Sequence, residues 1–186
     1  MATFGSTPIA SEFVHIRIGG DLALLKGMMK VIFEREAQGE AIIDHDFVTE
    51  NTVGLAALRD YVMGEDWAEI VDISGIAEQQ IRRCAEIYIR SNATIICYGM
   101  GITQHQQGSR LVQQIANLLL LRGNFGKPGA GISPIRGHSN VQGDRTVGID
   151  EKPTEAYLDR VRQVFGFEPP RRHGHHSVES VEAMKA

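Results

Sequence analysis

Apolar residues recur every three or four positions in several stretches of the chain, which is the spacing of a helix that buries one face. The pattern predicts helices over residues 21–37, 44–51, 54–63, 77–90, 108–122 and 154–165. In the first of these helices, Asp21 is the expected N-cap and Gly39 the expected stop signal. The expected buried stripe of the fourth helix consists of Ile81, Cys84, Ala85 and Tyr88.

Two shorter stretches have the pattern of strands. Residues 15–18 alternate in polarity up to Gly19-Gly20, and residues 93–98 form an apolar run that ends at Gly99. A continuous apolar run predicts a strand that is buried on both faces, as in a parallel sheet. The order of helix, strand, glycine turn and helix is typical of an α/β fold, so we predict a partial open parallel sheet with flanking helices.

Composition and charge add limits to this picture. A chain of 186 residues with 42% hydrophobic residues suits one globular domain. We divide it into a helical and strand part (13–122), a glycine-rich loop (123–150) and a tail (151–186). Cys84 and Cys97 form no CxxC motif, which favours a reduced, cytoplasmic setting. No apolar run approaches the roughly 18 residues of a membrane helix, and we expect neither a membrane nor a nucleic acid as partner.

The glycine-rich loop is the candidate for chemistry. Seven glycines and two prolines fall within 123–148, which predicts a loop without regular structure. No Asp or Glu occurs between Asn92 and Gly143. The basic residues of that stretch are Arg110, Arg122, Lys127 and Arg136. Glycine N–H groups and basic residues without carboxylates suit an anionic ligand, although chance and a buried helix would produce the same composition.

The glycine motif after the predicted strand is ambiguous on its own. Gly99-Met100-Gly101 lets a ligand approach the backbone, but it lacks the third glycine of the dinucleotide motif, and a structural turn satisfies it equally well. Gly126-Lys127 is followed by Pro128, which excludes a Walker P-loop.

Longer blocks carry a resemblance to a known family. Residues 99–104 (GMGITQ), 119–131 (LLLRGNFGKPGAG) and 134–143 (PIRGHSNVQG) follow in order, after the turn Gly19-Gly20-Asp21. These blocks resemble molybdopterin oxidoreductases, most of all formate dehydrogenase alpha subunits and the YdeP-like group. The resemblance runs from about Phe13 to Gly148. It implies that the chain is an internal segment of a larger molybdopterin oxidoreductase domain.

The resemblance also implies a cofactor and a set of site residues. The cofactor is bis(molybdopterin guanine dinucleotide) carrying molybdenum or tungsten. The residues implied to bind it are Gly20, Asp21, Gly99, Met100, Gly101, Gln104, Arg136, Gly137, Asn140 and Gln142. Arg136 and His138 are the implied catalytic residues, with Arg136 beside the metal. Formate dehydrogenases carry Gln at the position of His138, and because His exchanges protons near neutral pH while Gln does not, formate is not fixed as the substrate.

In the family, the metal ligand and the iron–sulfur cysteines lie upstream of the matching stretch. The resemblance therefore implies a 4Fe–4S cluster in the parent protein but not in this chain, and no metal ligand here. The expected partners are the cofactor, a small-molecule substrate and the remaining domains of the parent protein. The isolated segment is expected to be inactive. Two alternatives stay open, a stand-alone nucleotide-binding or regulatory module without redox activity and a purely structural fragment.

Overall fold

The computed structural model describes residues 9–185, which fall into two compact units divided along the chain between Arg136 and Gly137. The first unit contains α1 (Asp21–Ala37), α2 (His45–Asn51), α3 (Leu55–Met63), α4 (Trp67–Ser74), α5 (Glu78–Arg90), β1 (Ile95–Tyr98), α6 (Met100–Thr103), α7 (Gly108–Leu120) and β2 (Gly131–Pro134). The second contains α8 (Val141–Thr146), α9 (Glu155–Phe165) and α10 (Ser177–Ala183). The fold is α/β as predicted, mostly helical with a small parallel sheet. The division into three parts stays a prediction.

The hydrophobic pattern placed α1, α2, α3, α5, α7 and α9 correctly. Helix α1 ends as predicted, and Gly39 follows it with φ +93°. The prediction that Asp21 is the N-cap of α1 is wrong, because Gly20 holds that position and Asp21 lies in the first turn. A Cβ at Gly20 would lie 2.8 Å from the Cα of Ser74, so the chain needs a glycine where α1 begins.

Helix α1 is the centre of the first unit and packs against α3, α4, α5 and α7. The main cluster of buried residues joins α1 to the end of α7, and its most buried members include Met29, Ile32, Leu118, Leu119 and Leu121. The predicted deep burial of the apolar run at 118–121 is therefore confirmed for these leucines. Burying each side chain of this size contributes roughly 1.5–3 kcal/mol.

The sheet consists of β1 and β2, paired in parallel with Ile95 opposite Gly131 and Tyr98 opposite Pro134. The prediction that residues 123–148 lack regular structure is wrong, since this stretch contains β2 and α8. Strand β2 carries a single large aliphatic residue, Ile132, so it has no periodicity to detect. It forms because β1 supplies partners for its backbone N–H and C=O groups.

Two further strand predictions need correction. Residues 15–18 form no strand, because the N–H of Arg17 donates to the C=O of Ser74 and Ile16 packs against a second small core cluster formed by Ile70, Ile76 and Ile81. Strand β1 is shorter than predicted and is not buried on both faces. Ile95 and Cys97 are exposed, whereas Ile96 and Tyr98 pack against the main core.

A buried polar network fixes the chain between the end of α7 and the start of β1. The hydroxyl of Tyr88 donates to the C=O of Leu118 at 2.6 Å, and Nδ2 of Asn124 donates to that hydroxyl at 3.0 Å. Oδ1 of Asn124 accepts the N–H of Thr94 at 3.2 Å. Burial raises the pKa of Tyr88 to about 12, so the hydroxyl stays protonated and remains a donor.

Arg122 belongs to the same structural region. Its Nη1 donates to the C=O of Ile42 at 2.9 Å and its Nη2 to the C=O of Ser91 at 3.1 Å. The guanidinium thus ties the end of α7 to the segments before α2 and before β1. Arg122 is one of the basic residues in the stretch 92–143, which lacks Asp and Glu. In this structure its guanidinium group satisfies two backbone carbonyl groups.

Removing the Tyr88 hydroxyl tests this network. Tyr88→Phe leaves Asn124 and the Leu118 carbonyl each short of one buried partner, which costs about 1–3 kcal/mol. We expect urea denaturation of the chain to show that loss in the free energy of unfolding. Tyr157→Phe, at a half-buried tyrosine, is the matched control and should stay within about 0.5 kcal/mol of wild type. Equal effects of the two substitutions would contradict the network.

The carboxylate of Glu36 gives a pH-dependent prediction. It accepts the N–H groups of Ile42 and Ile43, both at 2.6 Å, and its Oε2 lies 3.1 Å from Nε2 of His45. Burial disfavours the charged form, but these hydrogen bonds outweigh burial and lower the pKa of Glu36. A lowered pKa in the folded state stabilises the fold above the ordinary glutamate value of about 4.3, and this stabilisation is lost as the pH falls through the folded value.

We therefore expect the free energy of unfolding of wild type to fall more steeply than that of Glu36→Gln as the pH drops below about 4.3. Urea denaturation at a series of pH values measures both slopes. Glu50→Gln, at an exposed carboxylate on α2, is the control and should follow wild type. Parallel curves for wild type and Glu36→Gln would show that the Glu36 hydrogen bonds contribute nothing.

Candidate functional site

The parallel register brings two of the predicted cofactor segments to one edge of the sheet. Strand β1 continues into Gly99, and β2 continues into Ile135 and Arg136. The N–H of Ile135 donates to the C=O of Tyr98 at 2.6 Å, and the C=O of Ile135 lies 3.6 Å from where a Cβ on Gly99 would be. Ligands of open α/β sheets bind beyond the carboxyl ends of the strands. We call Gly99–Gln104 together with Arg136 the strand-end site.

Within the strand-end site, the turn after β1 presents Met100 and Gln104 to solvent, whereas Ile102 packs against the main core. Met100 is 55% exposed, and a Cβ at Gly101 would meet no atom within 4 Å. The turn closes on itself, because the N–H of Gln104 donates to the C=O of Met100 at 2.8 Å and Nε2 of Gln104 lies 3.7 Å from Sδ of Met100. A ligand can therefore reach these residues without displacing the core.

Gly108, which the sequence did not indicate as a site residue, fixes the loop between α6 and α7. A Cβ at this first residue of α7 would lie 2.5 Å from the C=O oxygen of Thr103 at the end of α6. Only glycine allows α6 and α7 to approach so closely, and that approach sets the path of residues 104–107.

A cavity of about 400 Å³ lies between the start of α1 and this loop. Gly19 and Leu22 line it on the side of α1, and His105, Gln107 and Arg110 line it on the side of the loop. The predicted residues Gly20, Asp21 and Gln104 do not line it themselves, but each is a chain neighbour of one that does. The structure thus places the α1 turn and the segment after Gln104 on two walls of one cavity.

The remaining wall of the cavity carries both signs of charge. Nζ of Lys26 forms an ion pair with Glu65 and lies 4.3 Å from the ring centroid of Tyr61. Burial disfavours the ammonium group, but hydrogen bonds to Glu65 and Tyr61 outweigh this effect and raise the pKa of Lys26. Glu69 completes this wall. Lys26 is the sequence signal for this wall of the cavity, because it is a charged residue within the otherwise apolar stretch 22–29 of α1.

The other predicted residues lie in the second unit. Oδ1 of Asn140 accepts the N–H of Gly143 at 3.1 Å and caps α8, so this side chain has a structural role. The C=O of Gln142 accepts the hydroxyl of Thr146 at 2.8 Å, and the residue is exposed. Gly137 has open space at its Cβ position, and His138 is exposed.

The described residues offer no protein metal centre. Between residues 9 and 185, no group of three or more His, Cys, Asp or Glu side chains is arranged to hold a metal ion. The thiol of Cys84 is half-buried, and burial raises its pKa. Over the same residues, every helix is too short or too polar to span a membrane.

Sequence comparison relates the chain to known proteins. The profile of the molybdopterin oxidoreductase family matches residues 3–184. The chain is 50% identical to Protein YdeP of Escherichia coli (strain K12), over 99% of this chain and 25% of that protein. It is 42% identical to an uncharacterized oxidoreductase of Mycobacterium tuberculosis (strain H37Rv), over 96% of this chain and 23% of that protein.

Formate dehydrogenase H of Escherichia coli (strain K12) is 37% identical over 81% of this chain and 21% of that protein. The chain thus spans about a quarter of the length of the curated relatives it matches. The resemblance found in the sequence is confirmed: the chain belongs to the molybdopterin oxidoreductase family.

Proposed function

We propose that this chain binds molybdopterin guanine dinucleotide as one segment of a longer molybdenum or tungsten oxidoreductase. Membership of the family supports a molybdopterin cofactor and an oxidoreductase. The observation that carries the proposal is the strand-end site, where Gly99–Gln104 and Arg136 follow the carboxyl ends of two adjacent parallel strands. The guanine dinucleotide form of the cofactor and two-electron chemistry at the metal are parts of the proposal.

The residues of the strand-end site fit such a group. The cofactor has anionic pyrophosphates, and no carboxylate occurs between Asn92 and Gly143 to repel them. Open space at Gly101 permits close approach to the backbone, and the exposed side chains of Met100 and Gln104 supply further contacts. When bound, the cofactor supplies two-electron oxidation or reduction at its metal, while this chain supplies binding and orientation.

Gly20 and Asp21 are proposed to lie near a nucleotide end of the cofactor. The cavity beside Gly19 supports this, because it opens next to the first turn of α1 and is also lined by His105 and Arg110. Gly20 itself packs against Ser74, so its contribution is to place Asp21 rather than to leave room for a ligand.

Arg136 and His138 are the proposed catalytic residues. Arg136 is exposed at the end of the first unit, where a guanidinium can hold and orient an anionic group of the substrate. His138 is exposed in the second unit, and its ring nitrogens can donate or accept a hydrogen bond. Gly137, Asn140 and Gln142 are proposed to contact the cofactor through the backbone and, for Gln142, through its exposed amide.

The remainder of the longer protein is proposed to supply the metal ligand, a 4Fe–4S cluster and the path of the electrons, in the cytoplasm. The alternative, a nucleotide-binding module without redox chemistry, predicts a gene product that lacks these elements and is purified without pterin. Sequencing the gene beyond both ends of this segment, with pterin analysis of its product, separates the two.

The glycines distinguish cofactor contact from packing. Gly101→Leu places a side chain in open space and favours the helix, so we expect an unchanged free energy of unfolding but a several-fold loss of pterin and metal in the longer protein. Gly108→Ala is the matched control for packing. It clashes with Thr103 and should cost about 1–3 kcal/mol of stability. Full cofactor content in Gly101→Leu would show that the cofactor does not lie over this turn.

Arg136→Ala in the longer protein separates catalysis from cofactor retention. If Arg136 acts on the substrate, turnover should fall by roughly 100-fold while pterin and metal content stay near wild type. Arg136→Lys keeps the charge but not the paired donors and should retain part of the activity. Equal losses of metal and of turnover would instead make Arg136 a residue that holds the cofactor.

A further inference from the structure

The carboxylate of Glu36, in the last turn of α1, holds a segment that lies outside any helix or strand. Residues 38–44 connect α1 to α2, and we call them the α1–α2 linker. Oε1 of Glu36 accepts the N–H groups of Ile42 and Ile43, both at 2.6 Å, and Oε2 lies 3.1 Å from Nε2 of His45. Because a buried N–H group needs an acceptor, the Glu36 carboxylate fixes the path of this linker.

The α1–α2 linker directly contacts the start of the glycine-rich loop. The C=O of Ile42 accepts Nη1 of Arg122 at 2.9 Å. The N–H of Asp44 donates to the C=O of Leu121, also at 2.9 Å. A Cβ at Gly123 would lie 2.7 Å from Oδ2 of Asp44, so the two segments touch where there is no room for a side chain. The position of the linker therefore determines where residues 121–123 lie.

Hydrogen bonds continue from this point to the sheet. Oδ1 of Asn124 accepts the N–H of Thr94 at 3.2 Å. The C=O of Thr94 accepts the N–H of Gly131, the first residue of β2, at 2.9 Å. Strand β2 then leads into Arg136 of the strand-end site. Hydrogen-bond networks and packed segments of this kind carry energetic coupling between distant residues, so the path from Glu36 to β2 is physically continuous.

We propose that Glu36 is a positioning residue for the strand-end site, acting through the α1–α2 linker on the start of the glycine-rich loop. The carboxylate holds the linker, and the linker holds residues 121–123. These residues set the point from which β2 and Arg136 follow. The effect on β2 does not depend on the nature of the cofactor, whereas the expected effect on cofactor content rests on the proposed function.

Glu34 offers a matched comparison on the same helix. Its Oε1 accepts Nε1 of Trp67 at 2.9 Å, and its Oε2 accepts Nη1 of Arg82 at 2.8 Å. The side chain of Glu34 is 22% exposed and that of Glu36 is 11% exposed. The two glutamates thus accept similar hydrogen bonds, but those of Glu34 lead to α4 and α5. Loss of stability is expected from either substitution, whereas a loosened β2 is expected from Glu36 alone.

Residue-resolved amide exchange in the longer protein tests the proposal. In Glu36→Ala the linker loses its acceptor, so exchange at Gly131 should rise roughly 10-fold while exchange at Ile81 in the second core cluster stays as in wild type. Glu34→Ala should raise exchange at Ile81 and leave Gly131 unchanged. Glu36→Gln keeps a carbonyl oxygen for both N–H groups and should restore the protection of Gly131.

Wild-type exchange at Gly131 in Glu36→Ala would overturn the proposal, and so would an equal increase at Gly131 in Glu34→Ala. Glu36→Asp is the milder variant to use if Glu36→Ala does not fold, since it keeps the charge but shortens the side chain by one methylene group. It should give a smaller increase at Gly131, and no increase in Glu36→Asp would likewise overturn the proposal.

Cofactor content gives a second readout. Glu36→Ala in the longer protein should lose pterin and metal several-fold per folded molecule, while Glu34→Ala and Glu36→Gln stay near wild type. A loaded wild type with an equally loaded Glu36→Ala would contradict the positioning role. Wild-type protein without pterin would contradict the proposed function instead, and amide exchange at Gly131 would then decide the role of Glu36.

Discussion

The candidate site depends on the parallel pairing of β1 with β2. Because the strands run the same way and are in register from Ile95 to Tyr98, the chain leaves the sheet twice at one edge, once at Gly99 and once at Ile135. A slip of one residue would turn Ile96 and Tyr98 away from the core and move Gly99 relative to Arg136. The core itself therefore opposes such a slip.

The pairing depends in turn on the buried network around Asn124. Asn124 lies directly after the end of α7 and binds the first residues of the β1 segment through the N–H of Thr94. Its other contact, Tyr88, belongs to α5 and reaches the Leu118 carbonyl of α7. One amide side chain thus sets the distance between the helices and the sheet, and it is 1% exposed. The glycine-rich loop (123–150) therefore begins at a position that Asn124 holds against the core.

The sequence predicted the long helices and the glycine turns at 19–20 and 99–101, because periodic apolar residues and glycines report local conformation. It missed α4, α6, α8 and α10, of which the longest has eight residues. It also missed β2, which exists only through its pairing with β1. Of the site, the sequence indicated Gly99–Gln104 and Arg136, but not the packing role of Gly108 or the cavity wall at Lys26, since both arise from contacts between separate elements. Strand β1 is apolar on both faces in sequence, yet this chain covers only one of them.

We propose that the strand-end site holds a molybdopterin. The most direct measurement is the pterin and metal content of the longer protein, purified from cells supplied with molybdate and tungstate. We expect stoichiometric pterin together with molybdenum or tungsten. Protein that folds and is purified with neither pterin nor metal would contradict it.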